Sequence, residues 1–208
     1  KRGHGNVGEN QVRVGLRKKE KVPFVCHGNI CRSPMAEYVM KDLVQKAGLE
    51  NQFQIASAAT SREEIGNPVY PPARRKLAEH GISCAGHAAR QLRGSDAEEY
   101  DLLIGMDEAN LRNMRRICGG GFSDKMHLLM EYAGRRKGPP HEPSEAGRVG
   151  RGEVRERSEF SPQAETERRG LCFDEVADPW YTGDFDATWR DVLAGCRGLL
   201  ERSARGGL

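Results

Sequence analysis

The amino-acid sequence predicts an α/β protein built on a four-stranded parallel sheet with helices on both faces. Two observations predict it. Short apolar runs alternate with helix-forming segments through residues 22–133 and again after residue 171, and strands separated by helices form parallel sheets covered on both sides. The loop CHGNICR joins the first apolar run to the first helix-forming segment, at the kind of strand-to-helix junction where open parallel sheets bind ligands.

Val22–Cys26 is a short apolar run that reads as a buried strand, with Pro23 a weakness in its hydrogen bonding. Pro34–Ala47 is rich in helix formers, its proline in the first turn where a missing N–H does no harm. Gln52–Ala58 reads as the second strand, and Pro71–His80 as a helix closed by Gly81. Tyr100–Met106 is the third strand and Asp107–Cys118 a helix capped by its acidic start. Lys125–Met130 is the fourth strand, and Ala187–Arg202 a last amphipathic helix. The sequence has no internal repeat.

Charge is unevenly spread. The 208 residues hold 33 Lys and Arg against 30 Asp and Glu, but residues 1–21 alone carry +5 and residues 134–170 carry +2. The remaining 150 residues carry −4. Segment 134–170 has six Gly, four Pro and sixteen charged residues, too little apolar surface to offset its ordering entropy. It is expected to be a disordered insertion, and residues 1–21 a disordered basic extension. A single domain is then left in residues 22–133 and 171–208. Nucleic-acid readers concentrate Lys and Arg on a folded face, often with aromatics, and this basic excess lies elsewhere. No nucleic-acid partner is expected. No apolar run approaches a membrane span, and residues 1–15 have no apolar centre of a secretory signal. Six irregularly spaced cysteines form no disulfide framework. They are read as reduced thiols of a cytoplasmic protein.

The chemistry centres on CHGNICR. Where a strand ends and a helix begins, backbone N–H groups converge and the helix dipole favours an anion. A cysteine there, Cys26, has its thiolate stabilised and becomes a nucleophile. Gly28 and Asn29 are residue types that tolerate the positive φ of a tight anion cradle. Arg32 can present its planar fork to two phosphate oxygens. Two other Cys and Arg pairs share this spacing. Cys196…Arg202 falls inside a helix, where backbone amides are already paired, and Cys84…Arg90 does not join a strand to a helix. Cys31 has no second cysteine pair at zinc-ligand spacing, and Arg32 with the loop amides already meets the charge of a trigonal transition state; no metal and no cofactor are expected.

FVCHGNICRSPMAE resembles the signature of the low molecular weight protein tyrosine phosphatases. The segments IASAATS, EIGNPV, GHAARQL, DLLIGMDEANLRNM and VADPWYTGDF resemble that family's segments, in the family's order. The resemblance implies metal-free hydrolysis of protein phosphotyrosine and small aryl phosphates. Cys26 would attack phosphorus and form a phosphocysteine. Arg32 and the amides of His27, Gly28, Asn29, Ile30 and Cys31 would bind the phosphoryl oxygens. Asp178 would protonate the leaving phenolate and then activate water. It further implies that Ser33 donates to the Cys26 sulfur and that Asn29 holds the loop's shape, supported by Ser57 and His87. Trp180 and Tyr181 would wall the substrate ring. A reversible Cys26–Cys31 disulfide, in which a second thiol protects the thiolate, is supported by the resemblance, which also implies a tyrosine autokinase partner; a monomer or weak dimer is expected. For Cys31 the alternative is packing under the loop.

Besides Pro23, which stands where the family has a typical aliphatic residue, the sequence departs from the family in two further places. Glu63 stands where some members carry an aromatic at the pocket rim, and a carboxylate there would repel acidic phosphopeptides. The insertion falls just before the segment that carries the acid. Other readings of the same fold stay open. An arsenate reductase needs two further cysteines in relay, yet the third strand ends in Met106. A phosphoarginine phosphatase is expected to carry Thr where this loop has Ile30. A phosphate-binding pseudophosphatase disabled by the insertion is the non-enzymatic alternative.

Overall fold

In a computed structural model that describes residues 19–134 and 174–206, the first apolar run forms β1 (Glu20–Cys26). The expectations for residues 1–18 and 135–173 lie outside the described residues. β1 begins two residues before the apolar pattern does, because Glu20 and Lys21 already pair with Phe53 and Gln54. The Lys21 N–H also reaches Asp101 Oδ2 at 2.9 Å. Pro23 does not break the strand. Alternate residues of a parallel strand bond to opposite neighbours, and Pro23 faces the side where Lys21 bonds the 101–102 backbone. The partner strand on that side enters register only at Phe24, so no ladder bond is lost.

α1 (Arg32–Lys46) and β2 (Phe53–Ala59) follow, and β2 lies parallel to β1 over its full length. α2 (Pro71–Glu79) starts on its prolines and ends where Gly81, at φ +73°, lets its N–H and that of Ile82 fold back onto the last carbonyls. A short helix α3 (Asp96–Glu99), absent from the sequence expectation, precedes β3 (Leu103–Gly105). β3 is shorter than Tyr100–Met106 because Met106 leaves the ladder: its N–H donates to Asn110 Oδ1 at 3.2 Å and its carbonyl accepts from Val176 N at 2.9 Å. α4 (Glu108–Cys118) is N-capped by Asp107, whose Oδ1 accepts from Asn110 N at 2.6 Å. β4 (Met126–Leu128) stops before residue 130 because Glu131 Oε1 accepts the Leu128 N–H at 2.8 Å and starts α5 (Leu129–Tyr132). α6 (Pro179–Thr182) and α7 (Phe185–Ala204) close the described chain.

The sheet order is β2-β1-β3-β4, all parallel. Side chains alternate across it. Val22, Phe24, Ile104 and Met106 face a core shared with α1, α2, α5 and α7, while Val25 and Leu103 face a second core under α4. The connections leave β1 in one direction and return on its other side to β3. The crevice at the carboxyl ends of β1 and β3 is therefore the topological switch point, where this architecture binds ligands.

α7 packs against α1 and α5, and two glycines allow the approach. A Cβ at Gly195 would stand 2.4 Å from Leu129 Cγ, and one at Gly198 only 1.9 Å from the Tyr132 carbonyl oxygen. Because the second obstacle is backbone, Gly198→Ala is expected to lower stability by about 2 kcal/mol or more through overpacking, read as a shift in the denaturation midpoint. Glu20 gives a second test. Burial pushes its carboxyl above the ordinary 4.5, with the Asp101 charge adding to it against a hydrogen bond from Ser203. The folded state then holds this proton more tightly than the unfolded chain, so stability falls as pH rises through the folded value. Glu20→Gln is expected to melt above the parent protein at neutral pH, the difference closing below 4.5.

Candidate active site

Residues 26–32 turn from β1 into α1 at the switch point. The turn depends on Asn29, which has φ +58° and is the only non-glycine residue with positive φ among the described residues. Gly28 does not use the left-handed region, contrary to the sequence expectation. Its small size matters for space instead, since a Cβ there would meet Glu64 Cγ at 3.2 Å.

Asn29 is buried and every polar group it has is engaged. Its backbone N–H donates to Cys26 Sγ at 3.3 Å. Its side-chain amide donates to Ser33 Oγ at 2.9 Å and to Ser57 Oγ at 2.7 Å, while Oδ1 accepts from Arg90 N at 3.1 Å. His87 Nε2 lies 2.8 Å from the Asn29 carbonyl, so the ring donates to it. Ser33 Oγ stands 3.0 Å from the Cys26 sulfur. Asn29 and Ser33, with Ser57 and His87, thus form one connected cluster beside the Cys26 thiol.

Arg32 opens α1 with a side chain only 5 % exposed. Its guanidinium spans two carboxylates, Nη1 to Asp107 Oδ2 at 2.7 Å and Nη2 to Asp178 Oδ2 at 2.6 Å. Burial works against its charge, but Cys26, Asp178 and Asp107 outweigh that and raise its pKa above the ordinary value. Asp178 reaches this position from the far end of the chain because residues 176–178 are tied down on both sides. Val176 N bonds the Met106 carbonyl, Ala177 N donates to Asp191 Oδ2 at 3.1 Å, and the Ala177 carbonyl accepts from Thr188 Oγ1 at 2.8 Å. Asp178 also N-caps α6 through Oδ1, which accepts from Trp180 N at 3.0 Å. A cavity of about 460 Å³ opens here, lined by Arg32, Asp107, Arg112, Glu175, Asp178 and Tyr181 among others.

Tyr181 is 86 % exposed, and Trp180, 59 % exposed, leans on Tyr70 with ring centroids 5.6 Å apart. Tyr70 is itself fixed by its N–H to the Ile30 carbonyl at 2.8 Å. Glu63 is exposed and pairs at 3.1 Å with Nε2 of His27, the residue after Cys26. Cys31 is a free thiol buried with Ile30 and Ala89. Burial first, then the charges of Cys26 and Asp178, push it up to about 12. Mild alkylation at neutral pH is therefore expected to modify Cys26 and spare Cys31, as read by mass spectrometry of the loop peptide.

Sequence reasoning missed Asp107 and Glu37. Asp107 was legible as a helix cap, and its position directly after β3 at the switch point was the signal that it also faces the site. Glu37 Oε2 accepts from Ser57 Oγ beneath the loop, and nothing in its sequence context marks it.

A buried thiol in the turn between strand and helix, an arginine that spans two carboxylates, and a carboxylate paired with that arginine are groups that a cysteine-dependent phosphomonoesterase can use. Comparison with known proteins gives the class its name. The low molecular weight phosphotyrosine protein phosphatase family matches residues 21–159, and the chain belongs to that family. It is 32% identical to the Bacillus subtilis low molecular weight protein-tyrosine-phosphatase YfkJ over 179 residues, 86% of this chain and 92% of that protein. It is 44% identical to the Schizosaccharomyces pombe low molecular weight phosphotyrosine protein phosphatase over 119 residues, 57% of this chain and 76% of the relative. The crystal structure of YfkJ matches with a TM-score of 0.71 at 30% identity, covering 93% of this chain and 100% of that one. A Drosophila arginine phosphatase matches at 0.64 and 25% identity, covering 88% and 97%. This chain is a protein-tyrosine phosphatase, a hydrolase with cysteine-based catalysis. No described helix is long and apolar enough to cross a membrane.

Proposed function

We propose that Cys26 is the nucleophile, Arg32 with the loop amides the phosphoryl binder, and Asp178 the general acid. The observation that supports this reading is the proximity of all three: Asn29 N–H and Ser33 Oγ converge on Cys26 Sγ, Arg32 lies near enough to feel the Cys26 charge, and Arg32 pairs with Asp178 at 2.6 Å. A phosphoryl dianion is the natural competitor for the Arg32 fork. As its oxygens take the guanidinium, the Asp178 carboxylate is released, takes up a proton from solvent and turns toward the ester oxygen, while Asp107 keeps Arg32 oriented from the other side. The Cys26 sulfur attacks phosphorus, the P–O bond to the leaving group breaks, and the Asp178 proton goes to the departing oxygen. Asp178 then takes a proton from water as that water attacks the phosphocysteine. The P–S bond breaks, inorganic phosphate leaves, and Ser33 donates to the sulfur as it departs. The loop amides and Arg32 meet the charge of the equatorial oxygens in both steps.

Trp180 and Tyr70 would flank the substrate ring, and the His27–Glu63 pair would disfavour acidic residues beside it. Protein phosphotyrosine is the substrate class, with a tyrosine autokinase as a fitting source of it. The cytoplasm is the fitting compartment, and a monomer or weak dimer the fitting state. Under peroxide, oxidation of Cys26 to the sulfenic acid and condensation with the Cys31 thiol, releasing water, would give a protective disulfide.

The test is hydrolysis of an aryl phosphate at mildly acidic pH with EDTA present. Turnover is expected to survive the chelator and vanish in Cys26→Ser. A folded but inactive parent protein would overturn the reading, and vanadate binding would then identify a pseudophosphatase.

A further inference from the structure

The buried carboxylate of Glu37 has no part in the chemistry above, yet it lies at the end of the hydrogen-bond chain that begins at Cys26. Glu37 sits on α1 and is 7% exposed. Its Oε2 accepts from Ser57 Oγ, and its Oε1 from the Lys41 ammonium at 2.5 Å. A serine hydroxyl has one proton. Once Ser57 gives that proton to Glu37, its oxygen can only accept from Asn29 Nδ2 at 2.7 Å. The other Nδ2 proton goes to Ser33 Oγ at 2.9 Å. The Ser33 oxygen is thereby an acceptor, and its own proton is left for Cys26 Sγ at 3.0 Å, with the Ala58 carbonyl a longer alternative at 3.5 Å.

We propose that Glu37 is a positioning residue that sets the direction of this chain, so that Ser33 donates to the Cys26 sulfur. Without a carboxylate behind it, Ser57 would seek a new acceptor in a buried setting. A half-turn of the Asn29 amide supplies one. Oδ1 would then face both serines, Ser33 would donate to it, and the sulfur would lose its donor. The Arg90 N–H to Oδ1 resists that turn alone. The inference rests on Cys26 being the nucleophile.

The experiment uses the full chain and four variants: Glu37→Leu, Glu37→Gln, Ser57→Ala, and Ser57→Ala with Glu37→Leu. Each is read by the rate of Cys26 alkylation by iodoacetamide at one fixed pH, and by burst and steady-state release of phenol from an aryl phosphate. Glu37→Leu is expected to slow alkylation and lower kcat by about tenfold, leaving the burst and shifting KM by less than about twofold. Glu37→Gln, whose amide oxygen still accepts the Ser57 proton, is expected to keep rates near the parent's. In the Ser57→Ala background Glu37→Leu is expected to add nothing. Parent rates in Glu37→Leu, or an equal loss in the Ser57→Ala background, would overturn the proposal. If Glu37→Leu does not fold, Glu37→Ala takes its place under the same expectations, and the double variant compared with Ser57→Ala alone still decides: any further severalfold loss there overturns the proposal. A parent protein with no burst would instead overturn the assignment of Cys26.

Discussion

Asp178→Asn is expected to lower kcat for phenyl phosphate by about 10³-fold, within the usual worth of general acid catalysis. For p-nitrophenyl phosphate the loss should be much smaller. The contrast follows from the leaving groups. Phenolate is basic and leaves poorly without a proton, whereas p-nitrophenolate leaves nearly unaided. Asparagine is the informative substitution because Asp178 has two functions in the fold. Oδ1 caps α6 by accepting from Trp180 N at 3.0 Å, and Oδ2 pairs with Arg32. Asn caps as well as Asp does, so α6 is retained while the transferable proton is lost. An equal loss for both esters would mean that Asp178 shapes the site without supplying the proton.

Arg32→Lys is expected to lower kcat/KM by about 10³-fold and to weaken inhibition by inorganic phosphate. Both changes come from geometry, since the charge is kept. Arg32 Nη1 and Nη2 contact two different aspartates, 2.7 and 2.6 Å away, and the same fork must span two phosphoryl oxygens. A lysine ammonium is a point donor on a flexible stem. It can satisfy one carboxylate but cannot stay paired with Asp107 while receiving a dianion. Enzyme assays with phosphate titration on the two proteins check this directly.

How much of this was legible in the sequence varies with the kind of interaction. Local patterns carried the strands and long helices, because hydrophobic period and caps are read within a few residues. Asp107 as a cap and Gly81 as a helix end were of this kind. The edges failed where a distant residue intervened. β1 begins at Glu20 because Phe53 pairs with it, and β3 stops at Gly105 because Asn110 and Val176 take the Met106 backbone. The loop from Cys26 to Ser33 was legible because strand, anion cradle and helix are contiguous. Its supports were named through family resemblance, and the structure joins Ser57 and His87 to Asn29 from 28 and 58 residues away. Glu37 and the close approach at Gly198 had no local signature, since both depend on what packs across from them. For Gly28 the chemistry was anticipated for the wrong reason: it is a matter of space beside Glu64 rather than of positive φ.

The most direct measurement is the identity of the phosphorylated residue during turnover. The parent protein is mixed rapidly with an aryl phosphate, quenched within the first turnover and digested for mass spectrometry. One phosphoryl group on the Cys26 peptide, absent from Cys26→Ser and formed at the rate of phenol release, is the expected result. Phenol release that runs at the full rate with Cys26 unmodified throughout would contradict covalent catalysis at this cysteine.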